Sequence, residues 1–319
     1  MQGVSRRSSD LTNSHDHHSH FAGAHSHAPA SFGRAFAIGF ALNLAYVVAE
    51  AFWGFSAHSV ALLADAAHNS GDVVGLGGAW CASVLSRRGP TGRFTYGYRR
   101  SSILASLANA LLLLVMTGAI AWEAVRRLLN PEPSSGLVVM AVALAGVLIN
   151  GATAALLMAG RRDLNVRTMF VHMAADAALC AGVALAGGII MVTAWQWVDP
   201  MMSLIVSAVI LVTTWALLKD AVSLSLDAVP AGIDLREVES YLRAFPGIME
   251  VHDLHVWALS TTETALTVHV VLRKRVDADA LIDQITRGVH GRFAIGHATV
   301  QLETPDMAQS CALRPAHVV

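Results

Sequence analysis

Charge is scarce in this 319-residue chain: Asp, Glu, Lys and Arg make up 14% of it, against about 25% in an average soluble domain. With 54% hydrophobic residues and a mean hydropathy of +0.51, that shortage excludes a water-soluble surface over the whole chain. Lysine is nearly absent, at Lys219 and Lys274 only. The formal net charge of −1 leaves no basic excess for neutralising phosphates, so bulk nucleic-acid binding is excluded too. Cys81, Cys180 and Cys311 are the only cysteines and form no C-x-x-C pair. That spacing excludes a disulfide framework and a cysteine-based zinc ribbon, and each reads as a small buried apolar residue. No apolar run before residue 32 is long enough for a signal-peptide core.

What the chain has in quantity is histidine, with fifteen residues, and apolar sequence gathered into blocks. Six blocks close to the ~20 residues that cross a bilayer occupy residues 35–55, 60–85, 103–125, 137–159, 169–192 and 200–218. The fold class is therefore an α-helical membrane protein, with a six-helix transmembrane domain over residues 32–218. Residues 1–31 are polar and contain His15, His17, His18, His20, His25 and His27. Their composition predicts a disordered His-rich tail that collects transition metals without fixed geometry. Arg87, Arg88, Arg93, Arg99 and Arg100 crowd one connection and Arg161, Arg162 and Arg167 another, while the opposite side holds Arg126 and Arg127. The positive-inside rule then places both termini in the cytoplasm, with the spans in the cell (inner) membrane.

After Lys219 polar and apolar residues mix, and the pattern predicts a cytoplasmic αββαβ domain over residues 219–305, followed by a tail at 306–319. Asp234 is an N-cap candidate for a helix with an apolar stripe from Leu235 to Phe245. Strands follow near residues 250–258 and 265–272, then a helix near 278–289. The last strand alternates Ala298, Val300 and Leu302 with His297, Thr299, Gln301 and Glu303.

The informative residues are the ionisable ones inside apolar blocks, each costing about 2.5–3.5 kcal/mol at the bilayer centre. The second span contains Asp65, His68 and Asp72, whose spacings of three and four share one helical face. The fifth contains His172 and Asp176, again four apart. Two imidazoles and two carboxylates, His68, Asp72, His172 and Asp176, make a tetrahedral set suited to Zn²⁺. Thiolates that would favour copper(I) and an all-oxygen set that would favour Mg²⁺ or Ca²⁺ are missing from it. Asn43 and Glu50, seven apart in the first span, either line a cavity or pair with another helix. Asp199 is expected to cap the sixth helix, and Gly71, Gly75 and Gly78 to allow close packing of the second.

These residues carry a family resemblance. Ala61-Leu62-Leu63-Ala64-Asp65-Ala66-Ala67-His68, continued to Asp72, resembles the second-helix signature of the cation diffusion facilitators, and Val171-His172 through Asp176 is similar to their fifth-helix motif. Phe94-Thr95-Tyr96-Gly97-Tyr98-Arg99-Arg100 resembles the loop before their third helix, and Val251-His252-Asp253-Leu254-His255-Val256-Trp257 the first strand of their cytoplasmic domain. The resemblance spans residues 34–305 and implies a homodimeric, proton-coupled zinc exporter with six spans and a ferredoxin-like cytoplasmic domain. It implies Zn²⁺ as cargo, with Cd²⁺ or Co²⁺ as passengers, and no cofactor. Asp65 resembles the family's supporting acid, orienting His68 or relaying protons.

In the cytoplasmic domain the resemblance implies a second zinc site at His252, His269 and Glu303, with His255 and His297 in reserve, where zinc acts as a regulatory ligand. Strand parity speaks against His252, which alternates in phase with Leu254 and Val256. Many relatives carry a glutamate two residues after the paired arginines, where Ser102 stands here. The connection from Ser86 to Arg100 lacks the aspartate and histidines of a further site, and no metal is expected there. An intramembrane zinc-dependent metalloenzyme and a metal sensor are the alternative functions. The enzyme reading lacks an H-E-x-x-H or G-x-S-x-G motif.

Overall fold

A computed structural model describes residues 34–158, 164–273 and 277–314. The His-rich tail, Arg161 and Arg162 lie outside the described residues. The rest begins with six long helices, α1 (Arg34–Ser56), α2 (Val60–Ser86), α3 (Ser101–Leu129), α4 (Gly136–Leu157), α5 (Leu164–Thr193) and α6 (Val198–Ser225). The shortest has 22 residues, about 33 Å at 1.5 Å per residue, which matches the ~30 Å hydrocarbon core. Among the described residues α3 to α6 combine that length with apolar composition, and α1 and α2 carry Asn43, Glu50, Asp65, His68 and Asp72.

The bundle is polar inside and apolar outside. Glu50, Asp65, Asn69, Asn150, Asp176 and Ser203 are buried, whereas Val48, Phe52, Trp122, Leu148 and Val212 are exposed. That inversion is what a lipid solvent selects, because unpaired polar groups are costly against hydrocarbon and large aliphatic groups are not. Backbones meet where side chains vanish: a Cβ on Gly187 of α5 would lie 2.6 Å from the Met140 amide nitrogen of α4. Gly75 and Gly78 face Asn109 and Ala105 of α3, as close packing of α2 requires.

Asp199 does not cap its own helix. Its carboxylate accepts from the Val60 amide at 2.8 Å and from Ser59 Oγ at 2.5 Å, closing the start of α2 from across the bundle. Ser59 itself accepts from Leu62 N, so the two together serve the exposed amides of that helix end. The reason is depth: Asp199 is buried and the α2 start lies against it.

The second unit follows as α7 (Leu235–Arg243), β1 (Ile248–Ala258), β2 (Thr264–Leu272), α8 (Ala278–Phe293), β3 (Ile295–Glu303) and α9 (Pro305–Ser310). Asp234 caps α7 by accepting from Arg236 N at 2.8 Å. The sheet runs in the order β1-β2-β3, with β1 antiparallel and β3 parallel to β2. Val238, Leu242, Val251, Val256, Leu266, Val268, Ile285 and Val289 form its core with α7 and α8. Helix α9 is an addition, formed in a stretch whose composition predicts only a tail.

Polar contacts among the described residues join the parts. Arg99 meets Glu263 of the β1–β2 turn at 2.6 Å, and Ser102 Oγ accepts from Thr261 N at 3.1 Å. Arg100 pairs with Asp227. The serine that stands in the place of a glutamate thus holds a backbone amide of the second unit.

Candidate metal centres

Helices α2 and α5 bring the four membrane residues together as crossed pairs. His68 Nε2 of α2 lies 3.1 Å from Asp176 Oδ1 of α5, and His172 Nε2 of α5 lies 3.0 Å from Asp72 Oδ2 of α2. A third contact, His172 Nε2 to Asp176 Oδ2 at 3.6 Å, closes the set. One ligand atom each from His68, Asp72 and Asp176 lies within 4.8 Å of the other two, and the imidazole centroids are 6.2 Å apart. Each histidine faces a carboxylate on the other helix, so the site is assembled by helix packing and not by either helix alone. Asp176 is the buried member, with a side chain 3% exposed against 33% for Asp72.

Asp65 stands behind this set. Its Oδ2 accepts from Cys180 Sγ at 3.1 Å, its Oδ1 has no hydrogen-bond partner among the described residues, and Glu50 lies beside it. Glu50 in turn accepts from Tyr46 and from Asn69, both at 3.1 Å. Of the two roles open to Glu50, the structure shows interhelical pairing, through Asn69 of α2. Asp65 makes no hydrogen bond to His68 among the described residues; it belongs to a buried polar cluster with Cys180 and Glu50. Cys180 is therefore a donor as well as a buried residue, and Cys81 is exposed on α2.

In the second unit the decisive feature is a bulge in β1. His252 pairs with His269, but His255 pairs with Thr267, so β1 spends one residue more than β2 between them. Asp253 at the bulge has φ 49°. The extra residue reverses parity: Val251 lies in the core on one side and Leu254 and Val256 on the other. The in-phase argument against His252 fails for that reason, and His252 shares the face of His269.

On that face Glu303 Oε1 lies 3.1 Å from His269 Nδ1, and Glu303 Oε2 3.3 Å from His252 Nε2. Neither His252 nitrogen nor Glu303 Oε2 has a hydrogen-bond partner among the described residues, although the side chains are 5% and 0% exposed. Of the reserve ligands, His255 meets Asp253 Oδ1 at 2.8 Å, and His297 packs its ring 5.5 Å from that of Tyr96. Sequence reasoning missed Cys311: its Sγ lies 3.7 Å from His269 Nδ1, and one ligand atom each from His252, His269, Glu303 and Cys311 lies within 4.8 Å of the others. Beyond it Arg314 clasps Glu250 at 2.8 and 3.0 Å. That guanidinium holds the Glu250 carboxyl below its usual range.

The donor sets fit zinc, since both offer imidazole nitrogen and carboxylate oxygen converging from separate elements. A family model described as the cation efflux transmembrane domain matches residues 36–224, and one described as the cytoplasmic domain of cation efflux proteins matches residues 230–305. Zinc transporter ZitB of Escherichia coli is 37% identical over 290 residues, covering 88% of this chain and 92% of that one. Metal cation efflux system protein CzcD of Cupriavidus metallidurans is 35% identical over 291 residues, covering 90% and 92%. A Bacillus velezensis protein named cadmium, cobalt and zinc/H(+)-K(+) antiporter is 29% identical over 286 residues, covering 88% and 91%.

Proposed function

The chain belongs to the cation efflux family, and from that premise we propose that it exports Zn²⁺ from the cytoplasm in exchange for protons, by alternating access around His68, Asp72, His172 and Asp176. The observation that carries the reading is the crossed pairing of α2 and α5, in which each imidazole faces a carboxylate of the other helix at 3.0–3.1 Å. A divalent ion entering this set takes lone pairs that now meet protons. Loading requires neutral imidazole and ionised carboxylate, so metal and proton compete for the same atoms, and binding one releases the other. Opened to a more acidic compartment, the set reprotonates and lets the ion go.

Zinc is cargo at this centre and a regulatory ligand at His252, His269 and Glu303; cadmium and cobalt, named for the relatives, share its preference for such donors. The relatives are named as transporters, which supports vectorial movement over catalysis. The reading places the bundle in the inner membrane with both termini cytoplasmic, as a homodimer whose cytoplasmic domains meet. The test is zinc uptake into proteoliposomes loaded with a pH-sensitive dye. Wild type should take up zinc while the dye reports proton movement in the opposite direction, and Asp176→Ala should do neither. Uptake by Asp176→Ala at the wild-type rate would remove the site. Zinc accumulation indifferent to collapse of the pH gradient would remove the coupling.

A further inference from the structure

Besides the membrane set, one other cluster of metal-ligating side chains is present among the described residues: His252, His269, Glu303 and Cys311. Three observations bear on what it holds. First, His252 and Glu303 are buried and face each other at 3.3 Å, yet neither ring nitrogen of His252 nor Glu303 Oε2 has a hydrogen-bond partner among the described residues. Buried polar groups of that kind are ordinarily satisfied, and a cation between them satisfies both at once. Second, two imidazoles and one carboxylate leave one corner of a tetrahedron open, and the Cys311 sulfur lies within 4.8 Å of all three ligand atoms.

Third, Cys311 is held in place from both sides. Ahead of it, Thr304 Oγ1 accepts from Met307 N at 3.3 Å to start α9, whose Ala308 is 1% exposed. Behind it, Arg314 makes its two-pronged contact with Glu250, which lies two residues from His252 on the same half of β1. A cysteine needed only as an apolar filler requires no such clasp.

We propose that Cys311 is the fourth ligand of a closed tetrahedral zinc centre made with His252, His269 and Glu303, and that the bound metal staples residues 305–311 to the sheet. As the S–Zn bond forms, the Cys311 thiol gives its proton to solvent and binds as thiolate, while both imidazoles bind neutral and Glu303 ionised. Four protein ligands leave no open position, so the centre is structural or regulatory and not catalytic. Thiolate also discriminates: it favours Zn²⁺, Cd²⁺ and Co²⁺ over Mg²⁺ and Mn²⁺. The inference builds on the cytoplasmic site of the functional reading and is independent of whether the bundle transports.

The test is a Co²⁺ titration of the full-length protein in detergent. Wild type should develop the visible bands of tetrahedral cobalt together with a near-ultraviolet thiolate-to-cobalt charge-transfer band. Cys311→Ser should lose the charge-transfer band and bind this cobalt on the order of 10–100-fold more weakly, a range that even outer partners of a metal ligand reach. Cys311→His should recover affinity without the band, which separates loss of a ligand from loss of the fold. Hydrogen exchange over residues 305–311 should slow on adding metal to wild type and stay unchanged in Cys311→Ser. A charge-transfer band that survives in Cys311→Ser would assign the thiolate to Cys81 or Cys180 and overturn the proposal. If wild type binds a second cobalt without the band, Cys311 is no ligand and the three-residue site stands. If no second cobalt binds, the whole centre falls, and zinc uptake in proteoliposomes remains a separate question.

Discussion

Asp176 touches both imidazoles of the membrane centre, His68 at 3.1 Å and His172 at 3.6 Å, whereas Asp72 is paired with His172 and is a third exposed. Removing one partner of a buried pair costs about 3–5 kcal/mol, far more than an exposed one. Asp176→Asn should therefore weaken zinc binding and lower thermal stability more than Asp72→Asn, as calorimetric titration and melting in detergent would read out. At the margin of the cytoplasmic centre, Arg314 lowers the Glu250 carboxyl below its ordinary value of 4.5. A depressed carboxylate contributes stability above the unfolded value and loses it as pH falls through the folded one. The pair is solvent-screened and adds little stability. Hydrogen exchange near residue 314 should thus be flat from neutral pH to about 5, judged against the intrinsic rates, and should accelerate below 4.5. Among single residues, His68, Asp72, His172 and Asp176 were legible because an ionisable group in an apolar block stands out. The partners of Asp65 and Cys311 were not, because each contact joins residues far apart in the chain, 115 apart for Asp65 and Cys180 and 42 for His269 and Cys311.

Among elements, the six long helices were legible as apolar blocks, since a run of aliphatic side chains is the physical requirement for crossing lipid, but α6 runs on to Ser225, seven residues past the expected boundary at 218. Their ends were less so. Asp199 is adjacent to Pro200 in sequence and suggests a local cap, but its carboxylate serves α2 from 139 residues away. Asp199→Ala should cost about 1–2 kcal/mol, the range of a lost helix cap, seen as a lower melting temperature. Packing of α4 on α5 is a second element-scale matter. A methyl at Gly187 would press on the Met140 amide at 2.6 Å and the Gly136 carbonyl at 2.9 Å, both backbone atoms that cannot rotate away. Gly187→Ala should therefore destabilise by about 1–3 kcal/mol, the range for overpacking, while Gly188→Ala, facing the flexible Met140 sulfur at 3.7 Å, should be close to neutral. Paired melting curves of the two variants test this.

Across the whole molecule, the bundle and the cytoplasmic unit meet through Arg99 and Glu263, Arg100 and Asp227, and Ser102 and Thr261. These exposed pairs add little stability, so Glu263→Arg should leave melting almost unchanged. It should instead diminish any dependence of zinc uptake on metal bound to the cytoplasmic centre, measured by comparing its effect in wild type and in His269→Ala. The order of elements at this scale was legible from apolar blocks and strand alternation together. The face of His252 was not, because alternation assumes one residue per step and β1 breaks that rule. Because β1 counts one residue more than its neighbour at Asp253, the ladder has one residue to spare at that point. Loss of Asp253 would restore regular counting with His252 still opposite His269 and His255 still opposite Thr267, so the face that carries the candidate ligands survives a deletion at this one position.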